Sequence, residues 1–213
     1  MNPQLFEKTI GALTTNNFEV FVAEDLEHAR KIITDDILPC ITPGLVSYGD
    51  SVTFIETGVL DDLKSLPQRD GWRFLDTFES GVERKEILER RREALLSEVF
   101  FTGSNALTSG GQIVNLDMVG NRVGGIVWGP NKVVLTIGTN KIVDTLEDAM
   151  TRLREVAAPL NAKRHGSKTP CTKTGKCMNC KSPERICNTW TITEKSWPAK
   201  RISIVLVKGD YGL

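Results

Sequence analysis

Apolar residues in the first half of the chain follow a helical rhythm in some segments and form short compact runs in others. Leu26, Ala29, Ile33 and Ile37 recur at three- and four-residue steps, which predicts a helix over 25–38 that Pro39 ends. The predicted order is helix 3–14, strand 19–22, helix 25–38, an apolar run opening into a loop at 44–51, helix 61–66, strand 72–75 and helix 82–98. Strands alternating with helices predict βαβ units and a largely parallel sheet.

The second half has shorter β-rich pieces separated by glycines. Strands are predicted at 99–102, 112–115, 125–128, 132–137, 189–193 and 201–207. The clearest helix spans 145–158, with Pro159 at its end. The pattern therefore predicts one α/β domain over 1–213, with a largely parallel sheet flanked by helices. A cysteine-bearing loop, 161–188, is predicted as an insertion on that domain.

Composition excludes several classes of protein. With 213 residues, 40% of them hydrophobic and 25% charged, the chain can bury a core without disulfides, which argues against disorder, a coiled coil or a secreted cysteine scaffold. It has no apolar run of the ~20 residues that a membrane span needs and no secretory signal pattern, so a cytoplasmic location is expected. The formal net charge of zero argues against a nucleic-acid binder.

Four of the five cysteines fall in one stretch with the spacing C-x5-C-x2-C-x6-C: Cys171, Cys177, Cys180 and Cys187. Thiolates suit zinc or iron–sulfur clusters, and four of them complete either site. Because the stretch has one C-x2-C pair rather than the two of a zinc ribbon, a 4Fe–4S cluster is favoured. Zinc and a set of reduced thiols remain the alternatives. Cys40, beside Pro39, is predicted to be a small packed residue.

The cysteine stretch is also strongly basic. Residues 163–185 contain seven basic residues and one acid, a net charge of +6, so the rest of the chain carries the opposite charge. Nearby cations would lower the thiol pKa values and stabilise a thiolate-bound metal. His165 lies in the same stretch and is a weak candidate for an additional ligand.

Two loops are candidates for a substrate or phosphate site. The first, 44–51, offers Ser47, Gly49 and Ser51, and the second offers Gly103, Ser104 and Asn105 after a buried strand. Arg122 could pair with a carboxylate or phosphate. The alternative for the two loops is that they are ordinary turns, and the alternative for Arg122 is an exposed arginine in a turn. We expect the two loops to share one cleft with Arg122 nearby, binding a small carboxylate or phosphate-bearing ligand. No Ser-His-Asp arrangement is readable; Asp50, Glu56 and Asp117 are the candidate acids or bases.

Several runs resemble the lactate utilization (LUD) domain family over about residues 3–208. The runs are 101–107, 111–115, 120–123, 129–133, 138–143 and 157–162, and the cysteine runs 169–171, 174–177 and 182–187 look like its single-domain, cysteine-bearing branch. The resemblance implies a fold like that of the glucosamine-phosphate isomerase, ribose-phosphate isomerase and coenzyme A transferase group (NagB/RpiA/CoA transferase-like). It also implies a role in oxidation of lactate to pyruvate, alongside iron–sulfur partner subunits.

The chain departs from the family at Ser109-Gly110, where an acidic residue is common. The flanking glycines predict an exposed turn in which Ser109→Glu would be tolerated. The leading hypothesis is a redox-associated subunit that holds a cluster or zinc through its four cysteines. The alternatives are a stand-alone isomerase or acyl-transferase-like enzyme, or a non-catalytic ligand-binding or regulatory module, each with a structural zinc. The sequence does not decide whether the protein is itself an enzyme.

Overall fold

A computed structural model describes residues 2–66 and 71–213. Its strands are β1 (Glu19–Ala23), β2 (Leu45–Tyr48), β3 (Arg73–Leu75), β4 (Val99–Thr102), β5 (Ala106–Thr108), β6 (Ile113–Asp117), β7 (Lys132–Gly138), β8 (Ile142–Val143), β9 (Thr189–Thr193) and β10 (Ile202–Val207). Its helices are α1 (Pro3–Thr15), α2 (Leu26–Lys31), α3 (Val52–Glu56), α4 (Val59–Ser65), α5 (Arg84–Glu93), α6 (Asn121–Val127), α7 (Leu146–Arg152), α8 (Ala158–Arg164) and α9 (Pro170–Thr174). Residues 1 and 67–70 of the predicted domain lie outside the described residues.

The main sheet has six strands in the order β1-β10-β7-β4-β2-β3, and every neighbouring pair is parallel. Its central strands β4 and β10 are buried along their whole length. Alternate residues of β10 face opposite cores: Val205 packs with one helical layer, and Ile204 and Leu206 pack with the other. Strands covered on both faces carry continuous apolar runs, which is the pattern seen in the sequence. The predicted α/β class is confirmed.

A second sheet, in the order β8-β5-β6-β9, lies beside the first. Strand β6 is antiparallel to both β5 and β9, whereas β5 and β8 are parallel. Val114 of this sheet packs with Ala149 of α7 and with Leu153, which directly follows α7. The sequence predicted two of these strands, β6 and β9, and did not predict the short strands β5 and β8.

The predicted end of the helix at Pro159 is wrong. A π-helical segment, Leu153–Ala157, follows α7 and leads directly into α8, where Pro159 occupies the first turn. Proline is tolerated in a first helical turn because its missing N–H has no intrahelical partner there, and a π segment shifts the hydrogen-bond pattern just before it. The helix therefore carries the chain on to Arg164.

The predicted strand at 125–128 is also wrong, because most of it lies in helix α6. Gly120, at φ 95°, caps the start of α6. A Cβ at Gly125 would lie 2.8 Å from the ring of Phe100. The glycine allows the helix to pack closely on β4, a tertiary requirement that the local sequence does not reveal.

Ser109 is not in an exposed turn. Its side chain is buried, its Oγ donates to the Asp144 carbonyl oxygen at 2.9 Å, and it accepts from Lys8 Nζ at 3.0 Å. The glycines that follow do form a turn, in which Gly111 has φ 80°, but helix α1 covers that turn. Tolerance of a glutamate at Ser109 is therefore not expected. Among the described residues, no helix is long and apolar enough to cross a membrane.

Candidate functional site

A cavity of about 410 Å³ lies at the carboxyl ends of the central parallel strands. Its wall takes Asp50 and Ser51 from the segment after β2, Phe78 from beyond β3, residues 103–105 from the loop after β4, and Lys141 from the turn after β7. In open α/β sheets this edge presents strand-end loops and unpaired backbone groups, so ligands bind there. The cavity therefore has the position of a ligand site in this fold class.

The two candidate loops meet in this cavity, as predicted. Its wall contains five of the candidate residues: Ser51, Gly103, Ser104, Asn105 and Arg122. Ser47 lies outside the wall, with its Oγ donating to the Leu75 carbonyl oxygen at 2.9 Å. Gly49 also lies outside it and donates its N–H to the Phe101 carbonyl oxygen at 2.8 Å. These two residues hold β2 against its neighbours, and ligand contact by the other five remains a prediction.

Arg122 is buried rather than in an exposed turn. Nη1 donates to the Gly103 carbonyl oxygen (3.2 Å) and Asn115 Oδ1 (2.8 Å), and Nη2 donates to Asn105 Oδ1 (2.9 Å) and the Leu116 carbonyl oxygen (3.1 Å). Burial lowers the pKa of Arg122. The planar guanidinium thus ties the end of β4 to β6, and most of its donors are already used. Its main role is to position the loop that lines the cavity.

Asp50 and His165 form a pair that the sequence analysis missed. His165 Nε2 lies 3.0 Å from Asp50 Oδ2, and Arg164 also donates to that oxygen. Burial would raise the pKa of Asp50, but the bonds from His165 and Arg164 outweigh it and lower the pKa to about 2. Asp50 is therefore an anion at neutral pH, held beside an imidazole at the cavity wall.

Lys141 was also missed as a site residue. Its side chain is 5% exposed, lines the cavity and donates from Nζ to Thr53 Oγ1 at 2.9 Å. Burial, followed by repulsion from Arg152 and Arg122, lowers the pKa of Lys141 to about 7, against an opposing effect of Glu56. The sequence signal that could have indicated its burial is its position between two apolar segments, 133–137 and 142–143.

Arg91 brings a further cation to the wall. Its guanidinium carbon lies 4.9 Å from the centre of the Phe78 ring, and its buried Nε has no hydrogen-bond partner among the described residues. Burial lowers the pKa of Arg91, while Asp117 and Asp50 oppose that effect. A guanidinium at the cavity wall, placed over an aromatic face and without an ion pair among the described residues, can take an anionic partner.

A larger groove of about 970 Å³ lies between β3 and α5. It is wide open, and its charged side chains pair with one another: Arg90 with Glu79 and Glu86, and Arg92 with Glu89. Exposed ion pairs of this kind are common surface features. The groove therefore has less chemical character of a binding site than the smaller cavity.

All four cysteines of 161–188 line one small cavity of about 20 Å³, together with Thr169, Arg154 and Arg185. They are free thiols, and Arg185 donates to the carbonyl oxygens of Cys180 (2.7 Å) and Cys187 (2.8 Å). Nevertheless, within residues 2–66 and 71–213 no three His, Cys, Asp or Glu residues are arranged to hold a metal ion. The donor set fits a thiolate-bound metal, but binding would require the sulfurs to draw together. Cys40 lies apart from them and is exposed rather than packed.

The cysteine-bearing loop also forms part of the wall of the 410 Å³ cavity at the strand ends, the strand-end cavity. Ile186 lines both cavities, and Glu184 lines the strand-end cavity while accepting a hydrogen bond from the Lys168 N–H at 2.6 Å. The backbone between Cys180 and Cys187 therefore separates the thiols from the strand-end site.

The helix-flanked parallel sheet, with its cavity at the carboxyl edge, defines an open α/β protein. A model of the LUD domain family matches residues 6–207, and the chain belongs to that family. The chain is similar in fold to a DUF162 family protein from Deinococcus radiodurans, at 12% identity and a TM-score of 0.53 over 97% of each chain. No curated protein matches the chain.

Proposed function

We propose that this protein binds a small organic anion, carboxylate or phosphate-bearing, in the strand-end cavity as part of a lactate-utilization type system. The LUD domain family gives the association with lactate utilization. The position of the cavity, at the carboxyl ends of β2, β4 and β7, supports a ligand site.

The observation that carries the proposal is the charge of the wall. Arg91 lines the cavity and forms no ion pair within 4 Å among the described residues, and Lys141, also unpaired, is protonated in only part of the molecules at neutral pH because its pKa is lowered to about 7. A desolvated cation without a counter-ion is unfavourable, so a ligand that supplies negative charge would remove that cost. The acidic side chains of the wall already have partners: Asp50 is held by His165 and Arg164, Asp117 accepts from the Val123 N–H, and Glu184 accepts from the Lys168 N–H.

The size of the cavity limits the ligand. About 410 Å³ lies in the range of small-molecule sites, roughly 300–1,000 Å³, and exceeds what a three-carbon acid fills. The site therefore admits either a larger anion or a small acid together with a second molecule. A test panel needs both short acids and phosphorylated compounds.

Isothermal titration calorimetry tests the proposal with lactate, pyruvate, 2-oxoglutarate, inorganic phosphate and ribose 5-phosphate. We expect at least one of them to bind, and Arg91→Met to weaken its binding about tenfold or more, which is ~1.4 kcal/mol. Arg92→Met is the matched control, because Arg92 is the next residue of α5, is exposed and lies outside the cavity wall. No binding of any compound, or an equal loss in both variants, would overturn the proposal.

A second candidate function concerns the cysteines and is supported by their common cavity. We infer that Cys171, Cys177, Cys180 and Cys187 would hold a 4Fe–4S cluster, with zinc as the alternative. A cluster would supply one-electron transfer, consistent with a redox-associated subunit. The guanidinium of Arg185, bonded to two backbone carbonyls of the loop, would offset the negative charge of four thiolates.

Metal analysis after anaerobic purification tests this second function. Iron with acid-labile sulfide supports the cluster, one zinc per chain supports a zinc site, and the absence of both contradicts each. Cys177→Ser and Cys180→Ser should lose the metal. Cys40→Ser, which removes an exposed thiol outside the cavity that the other four cysteines line, should keep it.

A further inference from the structure

We propose that Lys141 is a nucleophile that condenses with the carbonyl group of a 2-oxo acid held in the strand-end cavity, forming an imine. This inference rests on the proposed anion site and names its substrate class. It begins from the burial of a lysine amine that has one hydroxyl partner and lines the cavity.

The surroundings of Lys141 hold the amine in place through a hydrogen bond and without an ion pair. Nζ donates to Thr53 Oγ1 at 2.9 Å, and Thr53 Oγ1 in turn donates to the Tyr211 carbonyl oxygen at 3.2 Å. A Cβ at Gly212 would lie 2.9 Å from Nζ, so the backbone of Tyr211–Gly212 packs over the lysine. An ion pair would explain a buried lysine structurally, but the part of the chain that the structure describes supplies none within 4 Å.

The charges around Nζ favour the neutral amine. Arg152 on α7 and Arg122 on α6 repel the ammonium form, and Glu56 on α3 is the acid that opposes them. Burial has the largest effect, and together with this repulsion it lowers the pKa of Lys141 to about 7. In a large fraction of the molecules the Lys141 amine is then unprotonated at neutral pH and has a lone pair available for attack.

The reaction is a balanced condensation. The Nζ lone pair attacks the carbonyl carbon, the C–O π electrons move to oxygen, and a proton transfer gives the carbinolamine. The nitrogen lone pair then forms the C=N bond as the C–O bond breaks. Both hydrogens of the amine leave with the carbonyl oxygen as one water, and no oxidant or reductant is consumed.

The cavity also distinguishes a 2-oxo acid from a 2-hydroxy acid. The guanidinium of Arg91, a residue that lines the cavity, can hold the carboxylate of either compound. A hydroxy acid has no carbonyl carbon for Nζ to attack. Lactate is therefore expected to bind without forming a covalent bond, and pyruvate to form one.

Borohydride trapping tests the imine. The full chain is incubated with pyruvate, reduced with sodium borohydride, digested and mapped by mass spectrometry. We expect one reduced pyruvate adduct, located on Lys141 and suppressed at least tenfold by excess lactate. The trapping rate should be half-maximal near pH 7, following the pKa of about 7. Adducts scattered over exposed lysines, or none, would overturn the imine.

Two variants sharpen the result. Lys141→Arg keeps a long basic side chain but cannot form this imine, so the adduct should disappear. Lys85→Arg removes an exposed lysine of α5 and should leave the adduct unchanged. Because the adduct is mapped on the unmodified chain, the test stands even if Lys141→Arg does not fold.

Calorimetry on the same sample separates this inference from the proposed function. Should pyruvate bind without being trapped, the imine is wrong and the anion site stands. Should neither pyruvate nor any other compound of the panel bind or be trapped, both are wrong.

Discussion

His165 Nε2 lies 3.0 Å from Asp50 Oδ2, although 115 residues separate the two in the chain. The contact joins the end of β2 to the basic segment that follows α8. With Arg164 on the same carboxylate oxygen, it fixes one wall of the strand-end cavity. The free energy of unfolding at acidic pH should therefore depend on the ionisation of Asp50.

Asp50→Asn is expected to lower the free energy of unfolding at pH 7 by about 1–2 kcal/mol. The pKa of Asp50 is lowered from 3.8 to about 2 in the folded protein, so the folded state favours the anion. That stabilisation is complete above pH ~4 and is lost as the pH falls toward 2. Urea unfolding at pH 7 and pH 3 should therefore show a smaller deficit at pH 3. Asp36→Asn, at an exposed position, should show no deficit at either pH.

Arg122→Lys is expected to destabilise the protein by roughly 3 kcal/mol. A lysine offers one point of donation where the guanidinium satisfies four acceptors, and each acceptor left unpaired costs about 1–3 kcal/mol. Chemical denaturation measures the loss. Arg92→Lys, on the exposed surface of α5, should change stability by less than ~0.5 kcal/mol. A loss below ~1 kcal/mol for Arg122→Lys would contradict the positioning role.

Ser109→Glu is expected to lose more than ~2 kcal/mol of stability, because a larger charged side chain must enter a buried position. The serine hydroxyl bonds to the Asp144 carbonyl and to Lys8. Ser109→Ala removes only that hydrogen bonding and should lose about 1 kcal/mol. Thermal unfolding of the two variants distinguishes them; equal stability of Ser109→Glu and the natural chain would place the side chain in solvent.

Gly125→Ala and Gly11→Ala should have opposite effects, although both positions are helical. A Cβ at Gly125 would lie 2.8 Å from the Phe100 ring, so we expect a loss of about 1–3 kcal/mol from overpacking. At Gly11, in α1, nothing lies within 4 Å of the added Cβ, and alanine should stabilise the helix by up to ~1 kcal/mol. Denaturant midpoints measure both, and a neutral Gly125→Ala would mean that α6 can move away from β4.

The sequence by itself determined the α/β class and the edge at which the cavity forms. The apolar runs of β4, β7 and β10 are too continuous for strands exposed on one face, so helices had to cover both faces. Loops that follow parallel strands meet at one edge of the sheet, which is why 50–51 and 103–105 could be placed together. Both inferences depend on local hydrophobicity and on chain direction, and both of these properties can be read directly from the sequence.

Only the tertiary structure decided the charges and partners of the site. The lowered pKa of Lys141 depends on burial and on Arg152 and Arg122, and Asp50 meets His165 through the packing of a distant helix. Desolvation is a property of all the atoms around a group, so no spacing rule reports it. The passage of the helix through Pro159 has the same origin: its local signal is a stop, and the packing of α7 on the second sheet carries the helix past it.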